Sequence, residues 1–237
     1  IAERFGWHAS YVALGLVVLA GLIGFLRLPS SAEAAPDRGR PGLSATLGAA
    51  RIAGVPALLV TQFLFMTAFY GTYAFFGDHL RATLGMSAGA VGLVVLAYGV
   101  GFGIASVGDR VVDRVGPARA LPFALGFVMM AYATMPLTTA VQAGAYAAAF
   151  VWGFANHFVL GVIVMRLGKL GVSERGSVLG LNTTVTYLGA LVGPLVLGLI
   201  YASAGFGGLA LGAAGCVVFA LVATVVGARS RARVRPA

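Results

Sequence analysis

The sequence predicts an all-α membrane protein with seven transmembrane helices. Three observations carry that fold class. Hydrophobic residues make up 59% of the chain, charged residues only 10%, and the mean hydropathy is +0.95. Apolar stretches of about twenty residues alternate with short loops, and at about 1.5 Å of rise per residue each can cross a bilayer core of about 30 Å. Lys and Arg collect on alternate loops, as the topology of a polytopic protein requires. A water-soluble domain would not solvate this composition, which removes most soluble-enzyme readings. The net charge of +9 follows the loops rather than one patch, so no nucleic-acid partner is expected.

The first stretch, 7–26, carries almost nothing polar after Tyr11 and ends at Arg27. The segment 29–51 is rich in Pro, Ala and Gly with mixed charge, and reads as a flexible linker. The second stretch, 55–76, holds Thr61, Gln62, Thr67, Tyr70, Thr72 and Tyr73, with Gln62, Met66, Phe69 and Tyr73 on one helical face. The third, 88–107, follows Ser87, which is placed to cap it. Its Gly99, Gly101 and Gly103 read as a close-packing strip; Ile104 stands where a dinucleotide fingerprint needs its third Gly.

The fourth stretch, 118–135, has only Tyr132 and Thr134. The fifth, 141–165, has Gln142, Tyr146, Trp152, Asn156 and His157. The sixth, 177–201, has Asn182, Thr183, Thr184, Thr186 and Tyr187, and aligns Asn182, Thr186, Gly189 and Gly193 on one face. The seventh, 207–226, has only Cys216 and Thr224. Lipid-facing helices tolerate a wholly apolar surface, whereas helices lining a wet cavity do not. The sorting therefore predicts a cavity between the second, fifth and sixth helices, although interhelical hydrogen bonds explain any single residue equally well.

Fourteen of the sixteen basic residues lie on one side: Arg27, Arg38, Arg40, Arg51, Arg110, Arg114, Arg119, Arg166, Lys169, Arg175 and the four arginines from Arg229 to Arg235. Only Arg4 and Arg81 lie opposite. The basic side, and with it the C-terminus, is expected to be cytoplasmic, in a plasma (inner) membrane. An external start at Ile1 and an odd number of crossings lead us to expect further helices upstream.

The loop Asp109-Arg110-Val111-Val112-Asp113-Arg114-Val115-Gly116-Pro117-Ala118-Arg119 reads as a tight turn. Gly116 there can take positive φ and Asp113 can accept from backbone amides. It resembles the signature loop of the major facilitator superfamily between that family's eighth and ninth helices, with Asp109 where the family usually has Gly. Phe5-Gly6-Trp7-His8 resembles the element before the sixth helix, with His8 in place of Arg. Glu174-Arg175-Gly176 and Gly189-Ala-Leu-Val-Gly193-Pro194 resemble the eleventh.

The resemblance covers essentially the whole chain and implies a drug or sugar efflux type transporter. Residues 1–28 would be helix six, 29–51 a cytoplasmic linker, 52–228 the C-terminal six-helix bundle and 229–237 a basic tail. It implies helix packing at Gly189, Gly193 and Pro194, and a cytoplasmic gate at Asp109, Asp113, Arg114 and Gly116. The cavity wall is expected from Gln62, Tyr70, Tyr73, Asn156, His157, Asn182 and Thr186. A small-molecule substrate, protons, the bilayer and a missing N-terminal half are the expected partners, with no cofactor.

Other chemistries fit poorly. Gly85-Met86-Ser87-Ala88-Gly89 matches G-x-S-x-G, but in an external loop with no preceding strand. His8, His79 and His157 are scattered, so no metal site is expected. The sole Lys169 lies in a loop and cannot hold retinal in the membrane. His157 is the imidazole expected at membrane depth, either as a coupling residue or as a neutral packing residue. No carboxylate is expected there. The function class opposed to a transporter is a membrane scaffold or assembly protein.

Overall fold

The computed structural model describes residues 2–27, 43–172 and 174–234. These form α1 (Ala2–Leu26), α2 (Leu43–Ala49), α3 (Val55–Leu84), α4 (Ala88–Ala105), a 3-10 turn (Ser106–Gly108), α5 (Asp109–Val115), α6 (Pro117–Thr138), α7 (Gln142–Leu170) and α8 (Arg175–Val234). There is no strand among the described residues, and the protein is an all-α membrane protein. α1 contributes the apolar run Tyr11–Leu26. α8 is two helices in one run, broken at Gly205, whose φ of 64° and ψ of −166° suit glycine alone. Its arms, 175–204 and 206–234, correspond to the sixth and seventh stretches.

Several boundaries differ from the sequence reading. α3 continues to Leu84, past Asp78, His79 and Arg81, and stops where Gly85 takes φ 62° and returns its N–H to the Arg81 carbonyl. A helix need not end at the first charge, because its last turns can stand clear of the bilayer. The end of the expected linker folds as α2, while residues 28–42, with Arg38 and Arg40, lie outside the described residues. The expected tail is helical to Val234, and Arg235 lies outside the described residues. The expected tight turn at 109–119 is instead α5, closed by Gly116 at φ 87° before Pro117 opens α6. Ser87 caps α4 as expected, its Oγ accepting from the Ala90 N–H at 3.2 Å.

The core is organised as two parallel helix pairs. α3 runs alongside the first arm of α8: Gln62 meets Thr186, Gly71 meets Gly193, and Asp78 meets Tyr201. The second arm returns antiparallel along α3, from Phe206 stacked on His79 to Thr224 bonded to Thr61. α3 thus lies between the arms of a helical hairpin. α4 pairs with α7 in the same parallel sense, from Ala90 against Tyr146 to Asp109 against His157. α6 packs on α7 and α8.

Close backbone approach makes both pairs. A Cβ at Gly193 would strike the Thr67 carbonyl, and one at Gly189 would lie 2.7 Å from the Met66 Cβ. Across α4 and α7 the contact is reciprocal: a Cβ at Gly101 would strike the Phe150 carbonyl, and one at Gly153 the Tyr98 carbonyl. Helices in lipid gain little from hydrophobicity and depend on such packing. The expected glycine strip on α4 is therefore corrected. Only Gly101 is used, because added Cβ atoms at Gly99 and Gly103 meet nothing within 4 Å.

Gly101→Ala is expected to destabilise the fold by about 1–3 kcal/mol through overpacking. Gly99→Ala should be neutral, or stabilise by up to about 1 kcal/mol through helix propensity. Unfolding curves of the two variants in detergent check the contrast; equal effects would remove the α4–α7 contact from the account.

Candidate functional site

The residues expected to line one cavity fall into three polar contacts between helices and a ring cluster. The first contact joins α3 to α8. Gln62 is 1% exposed and donates from Nε2 to Thr186 Oγ1 at 2.8 Å. Thr186 in turn donates to the Asn182 carbonyl at 2.8 Å. That commits the hydroxyl hydrogen, so Gln62 must present its NH2 to Thr186 and turn its Oε1 away. Gln62 Oε1 and Asn182 Oδ1 are buried with no hydrogen-bond partner among the described residues.

The second contact joins α7 to α4. Asn156 is fully buried and donates from Nδ2 to Tyr98 Oη at 3.2 Å. The sequence reading passed over Tyr98; its signal was the one tyrosine in an apolar, glycine-rich stretch. The third contact joins α7 to α5, nearer the basic end of the bundle. His157 Nε2 lies 2.9 Å from Asp109 Oδ1, with side chains 16% and 52% exposed. Phe102 and Phe158 lie near-perpendicular to the imidazole, with centroids at 5.0 and 5.5 Å.

Aromatic rings fill the space between the two pairs. Phe69 of α3 lies 5.0 Å from Tyr70, 5.8 Å from Tyr73, 5.9 Å from Tyr98 and 5.3 Å from Trp152. Trp152 also meets Tyr98 edge-on at 5.1 Å and Tyr132 at 5.9 Å. Such tilted and T-shaped contacts stabilise by about 0.5–1.5 kcal/mol each beyond burial. Tyr73 is 45% exposed and forms the open end of this cluster.

His157 is held by Asp109, a residue expected only in the gate. α4, the 3-10 turn and α5 form one run, Ala88–Val115, and bring Asp109 to a ring midway along α7. A loop reading hid this, because Asp-Arg at an interface looks like a turn.

Two clefts lie away from these contacts. One of about 530 Å³ lies among Gly108, Val112, Ala124, Phe127 and Phe158 and is almost wholly apolar. Another of about 460 Å³ lies at the far end, among Gly77, Asp78, Arg81, Ala88 and Val91. None of the seven expected cavity residues lines either. Beside the second cleft, Asp78 accepts from Tyr201 Oη at 2.8 Å, and His79 bridges Thr139 and Thr83. Asp113 and Arg114, expected in the gate, are exposed on α5, and Gly189, Gly193 and Pro194 lie on the first arm of α8, the two glycines against α3.

The sequence profile of the Major Facilitator Superfamily matches residues 1–194. Among curated proteins, the chain is 27% identical over 177 residues to the Bacillus subtilis protein named uncharacterized MFS-type transporter YwfA, covering 75% of this chain and 43% of that protein. It is 26% identical over 230 residues to the inner membrane transport protein YdhP of Escherichia coli, covering 95% and 57%. It is 23% identical over 229 residues to a probable sugar efflux transporter of Mannheimia succiniciproducens, covering 94% and 56%. The chain thus spans about half the length of the curated relatives it matches.

Gln62→Ala and Thr186→Ala are each expected to destabilise the fold by about 1 kcal/mol or more, because each leaves a buried partner unpaired. The double variant should fall well short of the sum. A double-mutant cycle on unfolding free energies in detergent checks this; strict additivity would mean that the α3–α8 hydrogen bond contributes nothing.

Proposed function

Because this chain belongs to the major facilitator superfamily, we propose that it is the C-terminal half, with the preceding helix, of a secondary transporter exporting a small organic solute against protons by alternating access. It is an integral membrane transport protein and not an enzyme. In this reading 1–28 is the sixth helix of the fold, 29–51 a cytoplasmic linker, 52–228 the bundle and 229–237 a cytoplasmic basic tail. The N-terminal half of the same protein supplies the opposite wall.

The observation that carries the reading is the α3 face that runs from buried Gln62 through Phe69 to half-open Tyr73. Tyr70, Asn156, Asn182 and Thr186 flank it. Amide groups and tilted rings together suit a neutral or weakly polar organic solute, held by hydrogen bonds and ring contacts. The name of the Mannheimia relative, a probable sugar efflux transporter, is consistent with such a solute. α5, with Asp113 and Arg114 exposed between the 3-10 turn and Gly116, serves as the cytoplasmic gate.

Topology is the first test. Cys residues placed singly at Arg110 and Lys169 in a Cys216→Ala background should resist an impermeant maleimide added outside intact cells, and react once the membrane is opened. Labelling of position 110 from outside would reverse the orientation.

Transport is the second. Everted membrane vesicles containing the full-length protein are energised and offered a panel of labelled sugars and amphipathic drugs. At least one solute should accumulate, and Asp113→Asn should lower its rate about tenfold at equal protein amount. Gating contacts bias a two-state equilibrium rather than build the fold. No accumulation of any solute would favour a scaffold, and a wild-type rate in the variant would remove Asp113 from the gate.

A further inference from the structure

We propose that His157 and Asp109 together form a proton-binding site, and that the proton held there sets how tightly α7 grips the head of α5. The proposal rests on the transporter reading above and assigns that transporter's coupling ion to two residues.

The chemistry starts from the contact. An ionised carboxylate only accepts, so the hydrogen between the two groups belongs to Nε2 of His157, which donates to Asp109 Oδ1 at 2.9 Å. A proton arriving from water then binds at Nδ1. The pair passes from imidazole and carboxylate, with one negative charge, to imidazolium and carboxylate, with none. Release from Nδ1 restores the first state. Imidazole is the side chain that ordinarily changes charge between about pH 5 and 8.

The surroundings make that change matter. Phe102 from α4 and Phe158 from α7 pack near-perpendicular to the imidazole, and the side chain is 16% exposed. Partly desolvated charges interact more strongly than the same charges in water. Asp109 alone bonds to the ring. The other charged groups on the elements packed here are Arg110, Asp113 and Arg114 on α5, Arg119 at the start of α6, and Arg166 and Lys169 near the end of α7. Arg110 directly follows Asp109 on the first turn of α5 and Asp113 lies one turn further on, while Arg114, Arg119, Arg166 and Lys169 lie more than one turn from the pair along their own helices.

The mechanical consequence follows from position. Asp109 is the first residue of α5, directly after the 3-10 turn Ser106–Gly108, and Gly116 closes α5 at its other end. A 3-10 stretch within a helical run often marks a hinge. α5 is therefore a seven-residue segment between two pliable joints, tied to α7 through this contact. Imidazolium binds the carboxylate more strongly than imidazole does. The protonated pair holds α5 against α7, and the deprotonated pair loosens it, so proton occupancy biases the segment that carries Asp113 and Arg114.

The test needs no solute. The full-length protein with Cys216→Ala and Val111→Cys carries an environment-sensitive fluorophore on α5 and is reconstituted in liposomes. Emission is followed from about pH 5 to pH 8. A single one-proton transition is expected, and its amplitude should fall at least threefold in His157→Gln and likewise in Asp109→Asn. A flat wild-type profile, or a transition of undiminished amplitude in either variant, would overturn the proposal. Asp109 is half exposed, so Asp109→Asn decides the matter if His157→Gln fails to fold. An intact pH response in a protein that moves no solute would sink the transporter reading and leave the proton site standing.

Discussion

Everything in this molecule depends on how closely two pairs of helix backbones can approach. Lipid tails are as apolar as leucine, so burying a leucine between membrane helices gains little, and association relies on van der Waals contact and hydrogen bonds. Gly189 and Gly193 let the first arm of α8 lie directly on α3, and Gly101 with Gly153 do the same for α4 and α7. Those contacts fix register along the helices. Gln62 meets Thr186 and Asp78 meets Tyr201 only in that register, as Asn156 meets Tyr98 and His157 meets Asp109 in the other. A slip of one turn, about 5.4 Å, would part all four.

The two pairs differ in what they can do. The α3–α8 pair is closed along its length, because the second arm of α8 turns back at Gly205 and adds the Thr61–Thr224 contact from the other side. The α4–α7 pair is closed in its middle but ends in α5, a short helix between a 3-10 turn and Gly116. Phe69, Tyr98, Trp152 and Tyr132 join the pairs at the centre. The 3-10 turn and Gly116 thus set α5 apart at the basic end of the α4–α7 pair.

Helix number and pairing differed greatly in how far the sequence revealed them. The crossings were legible because length and hydropathy act locally, and so was the Ser87 cap. Polar residues sorted onto three helices, and of these Gln62 and Thr186 meet in an interhelical hydrogen bond. Contacts between helices were not. Tyr98 escaped notice because one hydroxyl in an apolar stretch carries no signal until Asn156 is placed opposite it. Asp109 was read as a loop residue because a carboxylate beside an arginine resembles an interfacial turn. Only the continuous run from α4 into α5 brings it to His157. Gly99 and Gly103 were indistinguishable from Gly101 for the same reason: the carbonyl that makes a glycine necessary belongs to another helix.

The proposed coupling of solute to protons can be read in liposomes that contain the full-length protein and a pH-sensitive dye, given a gradient of a transported solute with no initial pH difference. The gradient should drive protons across the membrane in the direction opposite to the solute, and a proton ionophore should abolish the signal. Solute flux with no accompanying change in internal pH would rule out the coupling.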